Sequence, residues 1–145
     1  MKRITIMAAL MLAAACGKAP DEAAPASGAA APAVAAEPAA SPEDIGRKAF
    51  GACAICHTVT DPAAPDAQRL VGPSLYRVYG AASAREAEFA YSNAMRAAGL
   101  IWDEATLDAF IAAPNQIVPG TRMAFVGERD AAKRAALIAY LKTLQ

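Results

Sequence analysis

The sequence predicts an all-α fold. Apolar residues recur three and four apart in the stretches that open at Ser41, Asp103 and Asp130, each behind a residue type that caps helices. No segment sustains the every-second-residue alternation of a half-buried strand. The chain has 145 residues. The first forty or so hold little to bury, which leaves about a hundred for one modest core.

Lys2 and Arg3 precede an apolar run from Ile4 to Ala15, and Ala13-Ala14-Ala15 leads to Cys16. A charged start, an apolar middle and a small-residue end make residues 1–16 a secretory signal. The run is about twelve residues, short of the ~20 of a membrane-spanning helix, so cleavage is expected rather than a permanent span. The stretch Leu12-Ala13-Ala14-Ala15-Cys16-Gly17 resembles a bacterial lipoprotein signal, in which the cysteine becomes the lipid-bearing first residue. It departs from the usual pattern in placing Leu12 four, not three, before the cysteine. Ordinary cleavage nearby is the alternative. Residues 17–41 are mostly Ala and Pro, with Pro20, Pro25, Pro32 and Pro38 against any helix. Such a linker would reach ~75 Å as polyproline II or ~28 Å as a coil.

The folded domain is expected over residues 42–145. Ser41-Pro42-Glu43-Asp44 supplies a cap, a proline at the first helical position and an acid three after the cap. The helix is predicted from Pro42 to about Ala52, with Ile45, Ala49 and Cys53 on its buried face. Pro62 and Pro65 break the loop that follows, as far as Gly72-Pro73. A short helix is predicted over Ser92 to Ala98, stopped by Gly99. Asp103 caps a helix with the stripe Leu107, Phe110, Ile111, which Pro114 ends. Asp130 opens the last helix, whose buried face is Leu137, Tyr140, Leu141 and Leu144.

Cys53-Ala54-Ile55-Cys56-His57 carries the chemistry. Two thiols three apart with an imidazole directly after the second form the attachment pattern of a covalent haem c. Cys53 and Cys56 would bond the porphyrin vinyl groups as thioethers, and His57 would supply one axial bond to iron. A thioredoxin-like dithiol expects a βαβ setting, which the flanks lack. A structural zinc site needs four ligands, and the chain offers one further cysteine, Cys16, and no other histidine. With Cys53 and Cys56 on haem, Cys16 is the odd cysteine of an exported protein, and lipidation is the favoured explanation.

The sixth iron ligand cannot be a second histidine. Methionine is the other strong candidate for an electron-transfer haem and raises the potential. Of five methionines, Met1, Met7 and Met11 leave with the leader, so Met95 and Met123 remain. Met95 sits on a predicted helix, where a thioether usually fills a core gap. Met123 sits in the loop Pro119-Gly120-Thr121-Arg122-Met123 and is the favoured ligand, with core packing as its alternative.

From Ile45 to Leu144 the chain resembles class I cytochromes c of the mitochondrial and cytochrome c2 type. The residues that carry this are Gly46, Phe50, the Cys53–His57 motif, Gly72-Pro73-x-Leu75, Tyr91-Ser92, Gly99-x-x-Trp102, Thr106-Leu107, Pro119-Gly120-Thr121-Arg122-Met123-x-Phe125 and Leu137-x-x-Tyr140-Leu141. The resemblance implies helices wrapped around one haem c, with Thr121 and Phe125 beside it. It implies that the Pro73 carbonyl accepts the His57 Nδ1–H bond, and that Tyr91 and Trp102 donate to a buried propionate. It also implies that Gly46 and Phe50 pack against Leu137 and Tyr140. Three positions depart from the family. Met95 stands where an asparagine is common, Phe110 where a haem-contacting tyrosine stands, and Ala81 where an arginine lies near a propionate. A drier pocket is expected.

Two lysines common before the methionine loop are Asn115 and Gln116 here, while Lys48, Arg122 and Arg129 remain. Electrostatic steering should be weak, and a tether would compensate through effective concentration. Of 14 basic residues, removing Lys2 and Arg3 leaves 12 against 14 acidic, and no basic stripe calls for nucleic acid. The expected protein is a monomeric periplasmic electron carrier, lipid-anchored to the membrane or else soluble. Its expected partners are a cytochrome bc1-type complex and cytochrome c oxidase, or other periplasmic redox proteins. No acid–base pair or nucleophile accompanies the haem motif, so an enzyme is not expected. A haem sensor, a peroxidase-like protein or a fixed dehydrogenase subunit are the alternatives.

Overall fold

The computed structural model describes residues 40–145. The leader, Cys16 and the linker as far as residue 39 lie outside the described residues. Five α-helices follow in order: α1 Pro42–Ala49, α2 Asn93–Ala97, α3 Glu104–Ala112, α4 Pro114–Ile117 and α5 Ala131–Lys142. Among the described residues one isolated antiparallel bridge, Ala82 to Ile101, is the only β pairing. The class is all-α.

The caps act as their sequence implies. Ser41 Oγ accepts from the Asp44 amide at 3.1 Å, and Ser92 Oγ accepts from the Met95 amide at 3.0 Å. Asp103 accepts from the Thr106 amide at 2.8 Å, and Asp130 takes the Ala132 and Lys133 amides at 2.9 and 3.2 Å. Each bond satisfies an otherwise orphaned helix donor, a contribution of ~1 kcal/mol. Gly99, at φ +60°, ends α2 in the left-handed conformation that glycine adopts without strain.

Three details differ from the sequence reading. The first helix tightens at Phe50 into a 3-10 turn over Phe50–Ala52. The Phe50 carbonyl accepts from both Cys53 and Ala54, at 2.7 and 2.9 Å, which turns the chain toward the cysteine motif. Pro114 ends α3 but also begins α4, because its missing N–H is harmless at a first helical position. Ile45 is 46% exposed, so it is not on the buried face of α1. Gly46 is, one residue on.

Gly46 marks where α1 crosses α5. A Cβ there would lie 2.0 Å from the Ala136 carbonyl oxygen and 2.8 Å from Tyr140 Cβ, so only hydrogen fits. Phe50 packs on Tyr140 with ring centroids 5.4 Å apart. Phe50, Leu107, Phe110, Leu137, Ile138 and Leu141 join Trp102 and Val118 in one core. The long loop between the haem motif and α2 is pinned at both ends of the fold. The Arg77 amide bonds the Leu144 carbonyl, while Gly80 and Ala81 exchange backbone hydrogen bonds with Trp102 at 2.9 and 2.8 Å. Past α4 the chain returns against α3. There Gly127, at φ +103°, passes so close that a Cβ would meet the Ala112 oxygen at 2.1 Å. Arg134 holds the same corner through Asp108 at 2.7 Å and the Glu128 carbonyl at 3.0 Å.

Candidate haem site

The haem motif leaves the 3-10 turn as a short bend. The His57 amide bonds the Cys53 carbonyl at 2.9 Å and the Cys56 amide bonds it at 3.0 Å. Both thiols are free and half-buried. Burial, helped by the neighbouring Cys56, pushes the Cys53 thiol up. His57 Nδ1 lies 2.7 Å from the Pro73 carbonyl, an oxygen that can only accept, so Nδ1 carries the proton. Nε2 is therefore the ring nitrogen with a free lone pair.

Gly72 closes on the same ring. A Cβ there would sit 2.6 Å from His57 Cε1 and 2.7 Å from Nδ1, and the Gly72 amide bonds the Cys56 carbonyl at 2.8 Å. Gly72-Pro73 thus confines the imidazole by a close approach and a hydrogen bond. Burial lowers the His57 proton affinity, against the raising effects of the Pro73 bond and the Glu86 charge. A neutral imidazole is the form that binds a metal.

Met123 faces the same space from another direction. Its amide bonds Thr121 Oγ1 at 3.2 Å, the Thr121 amide bonds the Val118 carbonyl at 3.0 Å, and Gly120 turns at φ +88°. Arg122 Nη1 reaches the Ala90 carbonyl at 2.8 Å and ties this loop to the segment before α2.

Between the two lies one cavity of about 500 Å³, within the ~300–1,000 Å³ of ordinary cofactor sites. Cys53, Cys56, His57, Pro73, Tyr91, Trp102, Phe110, Thr121, Met123 and Phe125 all line it. The structure brings together every site residue singled out in sequence except Cys16, which lies outside the described residues. Trp102 and Phe110 meet at 5.0 Å between centroids, and Phe110 is buried without a hydroxyl. Met95 lines the wall where an asparagine would have been polar.

Arg85 was missed in sequence. It also lines the cavity, with its guanidinium donating to the Ser74 and Tyr76 carbonyls. It returns a cation to a pocket whose family arginine position is Ala81. Nothing in the sequence around Arg85 has a period, so only the folded loop reveals its reach. Tyr91, half-buried beside Arg85 and Glu86, has its phenol pushed up by burial.

The donor set fits a haem c: two free thiols, an imidazole oriented through Nδ1, a thioether, and apolar walls between them. Among the described residues no group of three or more His, Cys, Asp or Glu could hold a metal ion on its own. Fold and site together define a small helical haem-binding domain.

The comparisons narrow the class. The family model described as cytochrome c matches residues 43–145. The cytochrome c2 of Rhodomicrobium vannielii is 44% identical over 98 residues, covering 68% of this chain and 75% of the relative. The cytochrome c2 of Rhodoblastus acidophilus is 44% identical over 98 residues, covering 68% and 88%. Among solved structures, cytochrome cH from Methylobacterium extorquens matches with TM-score 0.62 at 40% identity, covering 68% of this chain and 95% of its own. The chain belongs to the cytochrome c family. It is an electron carrier similar to cytochrome c2, built around one covalent haem c.

Proposed function

We propose that the protein is a periplasmic, membrane-tethered carrier of single electrons, working between a quinol-oxidising bc1-type complex and a terminal oxidase. Cys53 and Cys56 would hold the haem as thioethers, and His57 and Met123 would be the ligands to its iron. The observation that carries this reading is the 2.7 Å bond from His57 Nδ1 to Pro73. It fixes the tautomer, presents Nε2, and strengthens the imidazole as a donor.

Haem c supplies a reversible one-electron couple when bound. The chain's own residues keep water out and keep both ligands in place, so little reorganisation accompanies the change of charge. Tyr91, Trp102 and Arg85 line the cavity as the donors available to a propionate, offsetting its desolvation. Lipidated Cys16 and the Ala/Pro linker would hold the domain near its partners. Tethering suits a surface with Asn115 and Gln116 exposed in place of lysines. Among the described residues no helix is long and apolar enough to cross a membrane.

The visible to near-infrared spectrum of the ferric protein tests the ligation. A sulfur-to-iron charge-transfer band, displaced only slowly by imidazole, is the expected result. A high-spin spectrum with immediate imidazole uptake would overturn it in favour of a sensor or peroxidase-like protein. Metabolic labelling with a fatty acid, compared with Cys16→Ser, tests the anchor.

A further inference from the structure

One shielded carboxylate oxygen has no part in that account. Glu86 Oε1 is shielded from solvent and has no hydrogen-bond partner among the described residues. Nor does Glu86 form an ion pair among them. Arg85, its chain neighbour, is turned instead to the Ser74 and Tyr76 carbonyls. A buried carboxylate oxygen left unpaired is costly, so a partner is required.

The partner's place is beside it. Glu86 lines a second cavity of about 30 Å³ together with Gly72, Pro73 and Ser74. One water needs roughly 10–15 Å³ by this measure and two or more polar neighbours. Gln68 and Arg69 are on the same wall and complete the polar set. The cavity lies behind the two residues that set the His57 ring. The Glu86 charge is felt at His57 and at Tyr91, raising the proton affinity of each.

We propose that Glu86 is a potential-setting residue: its carboxylate, completed by one water in the 30 Å³ cavity behind Pro73, favours the ferric over the ferrous state. The inference rests on His57 as the iron ligand. Reduction moves one electron from a donor to the iron, and no bond forms or breaks. A fixed anion on the His57 side attracts the more positive oxidised centre more strongly, and the shielding of Oε1 from solvent limits the screening of that difference. Gln68, Arg69, Ser74, Arg85 and Tyr91 are the polar and charged groups around it.

Redox titration of the holoprotein, followed by visible absorption with small mediators, tests this. Glu86→Gln keeps shape and removes charge. At fixed ambient potential its ferrous-to-ferric ratio should rise about ten-fold, which is ~59 mV for a one-electron couple. Glu86→Asp keeps the charge and should stay within about two-fold of wild type on the same scale. A merely structural residue would not separate these variants while the sulfur-to-iron band stays intact in both. An unchanged ratio in Glu86→Gln with the band intact overturns the proposal and leaves the ligation reading standing. Absence of the band in wild type overturns the ligation reading instead. If Glu86→Gln takes up no haem, a high-resolution crystal structure of wild type decides. A water bonded to Glu86 Oε1 supports the proposal, and an Oε1 paired with Arg69 overturns it.

Discussion

The two sides of the haem cavity are held by different physics. On the His57 side the ring is trapped by atoms that cannot move cheaply: a backbone carbonyl at 2.7 Å, and a glycine whose missing Cβ would sit 2.6 Å from the ring. On the Met123 side, Met123 and Phe125 pack against the core. The loop itself is held by hydrogen bonds, from the Met123 amide to Thr121 Oγ1 at 3.2 Å, from the Thr121 amide to the Val118 carbonyl at 3.0 Å and from Arg122 to the Ala90 carbonyl at 2.8 Å. Close packing is all-or-none, whereas single hydrogen bonds contribute about 1 kcal/mol each and open one at a time. The difference implies that the Met123 side opens first and that the His57 side sets the geometry.

The largest effect should come from attacking the rigid side. Gly72→Ala forces the imidazole, its Nδ1 bond or the Cys56 carbonyl to shift, and should cost ~3 kcal/mol or more. Urea unfolding of the holoprotein would measure it. A midpoint within error of wild type would mean that the His57 side is as pliant as the other. Next comes Met123→Leu, close to volume-conserving, which should cost under ~1.5 kcal/mol of stability. It should nevertheless abolish the sulfur-to-iron band and make imidazole binding immediate. Retention of the band would transfer the ligand role to Met95.

Finer changes sharpen the contrast. Thr121→Val removes the hydroxyl that accepts from the Met123 amide, a loss of ~1 kcal/mol. If opening of this loop limits imidazole entry, the binding rate should rise about five-fold, since ~1.4 kcal/mol corresponds to ten-fold. Stopped-flow mixing would show it. Smallest is a pH effect at the seam between the sides, where Tyr91 neighbours the Ala90 carbonyl that Arg122 holds. Burial raises the Tyr91 phenol above its ordinary value of about 10. Below that pH both folded and unfolded chains keep the proton and nothing changes. As pH rises through it the unfolded chain loses its proton first, so stability falls until the folded phenol also titrates. Denaturation midpoints between about pH 9 and 11 should decline more steeply in wild type than in Tyr91→Phe.

Local chemistry was legible in the sequence, and reach across space was not. Ser41, Ser92, Asp103 and Asp130 cap as their residue types imply, because a cap bond spans only two or three residues. The cysteine motif and His57 were legible for the same reason. Ile45 was misplaced because spacing by four fits several faces of α1. The choice among them fell to Gly46, the residue that lets α5 approach. Arg85 and Glu86 lie in a long loop without period, and their positions depend on where the loop is pinned at Leu144 and Trp102.

The cavity also bears on the order in which the protein is made. Residual cavity volume costs roughly 24 cal/mol per Å³ in a folded core. A prosthetic group seated in the space of about 500 Å³ would remove such a cost from its walls. Phe50, Trp102, Leu107 and Phe110, the centre of the core, are also walls of this space. A newly made chain would therefore complete its core only with its prosthetic group. Cys53 and Cys56 would meet the porphyrin on a pliable polypeptide, and biogenesis would run from covalent chemistry to folding.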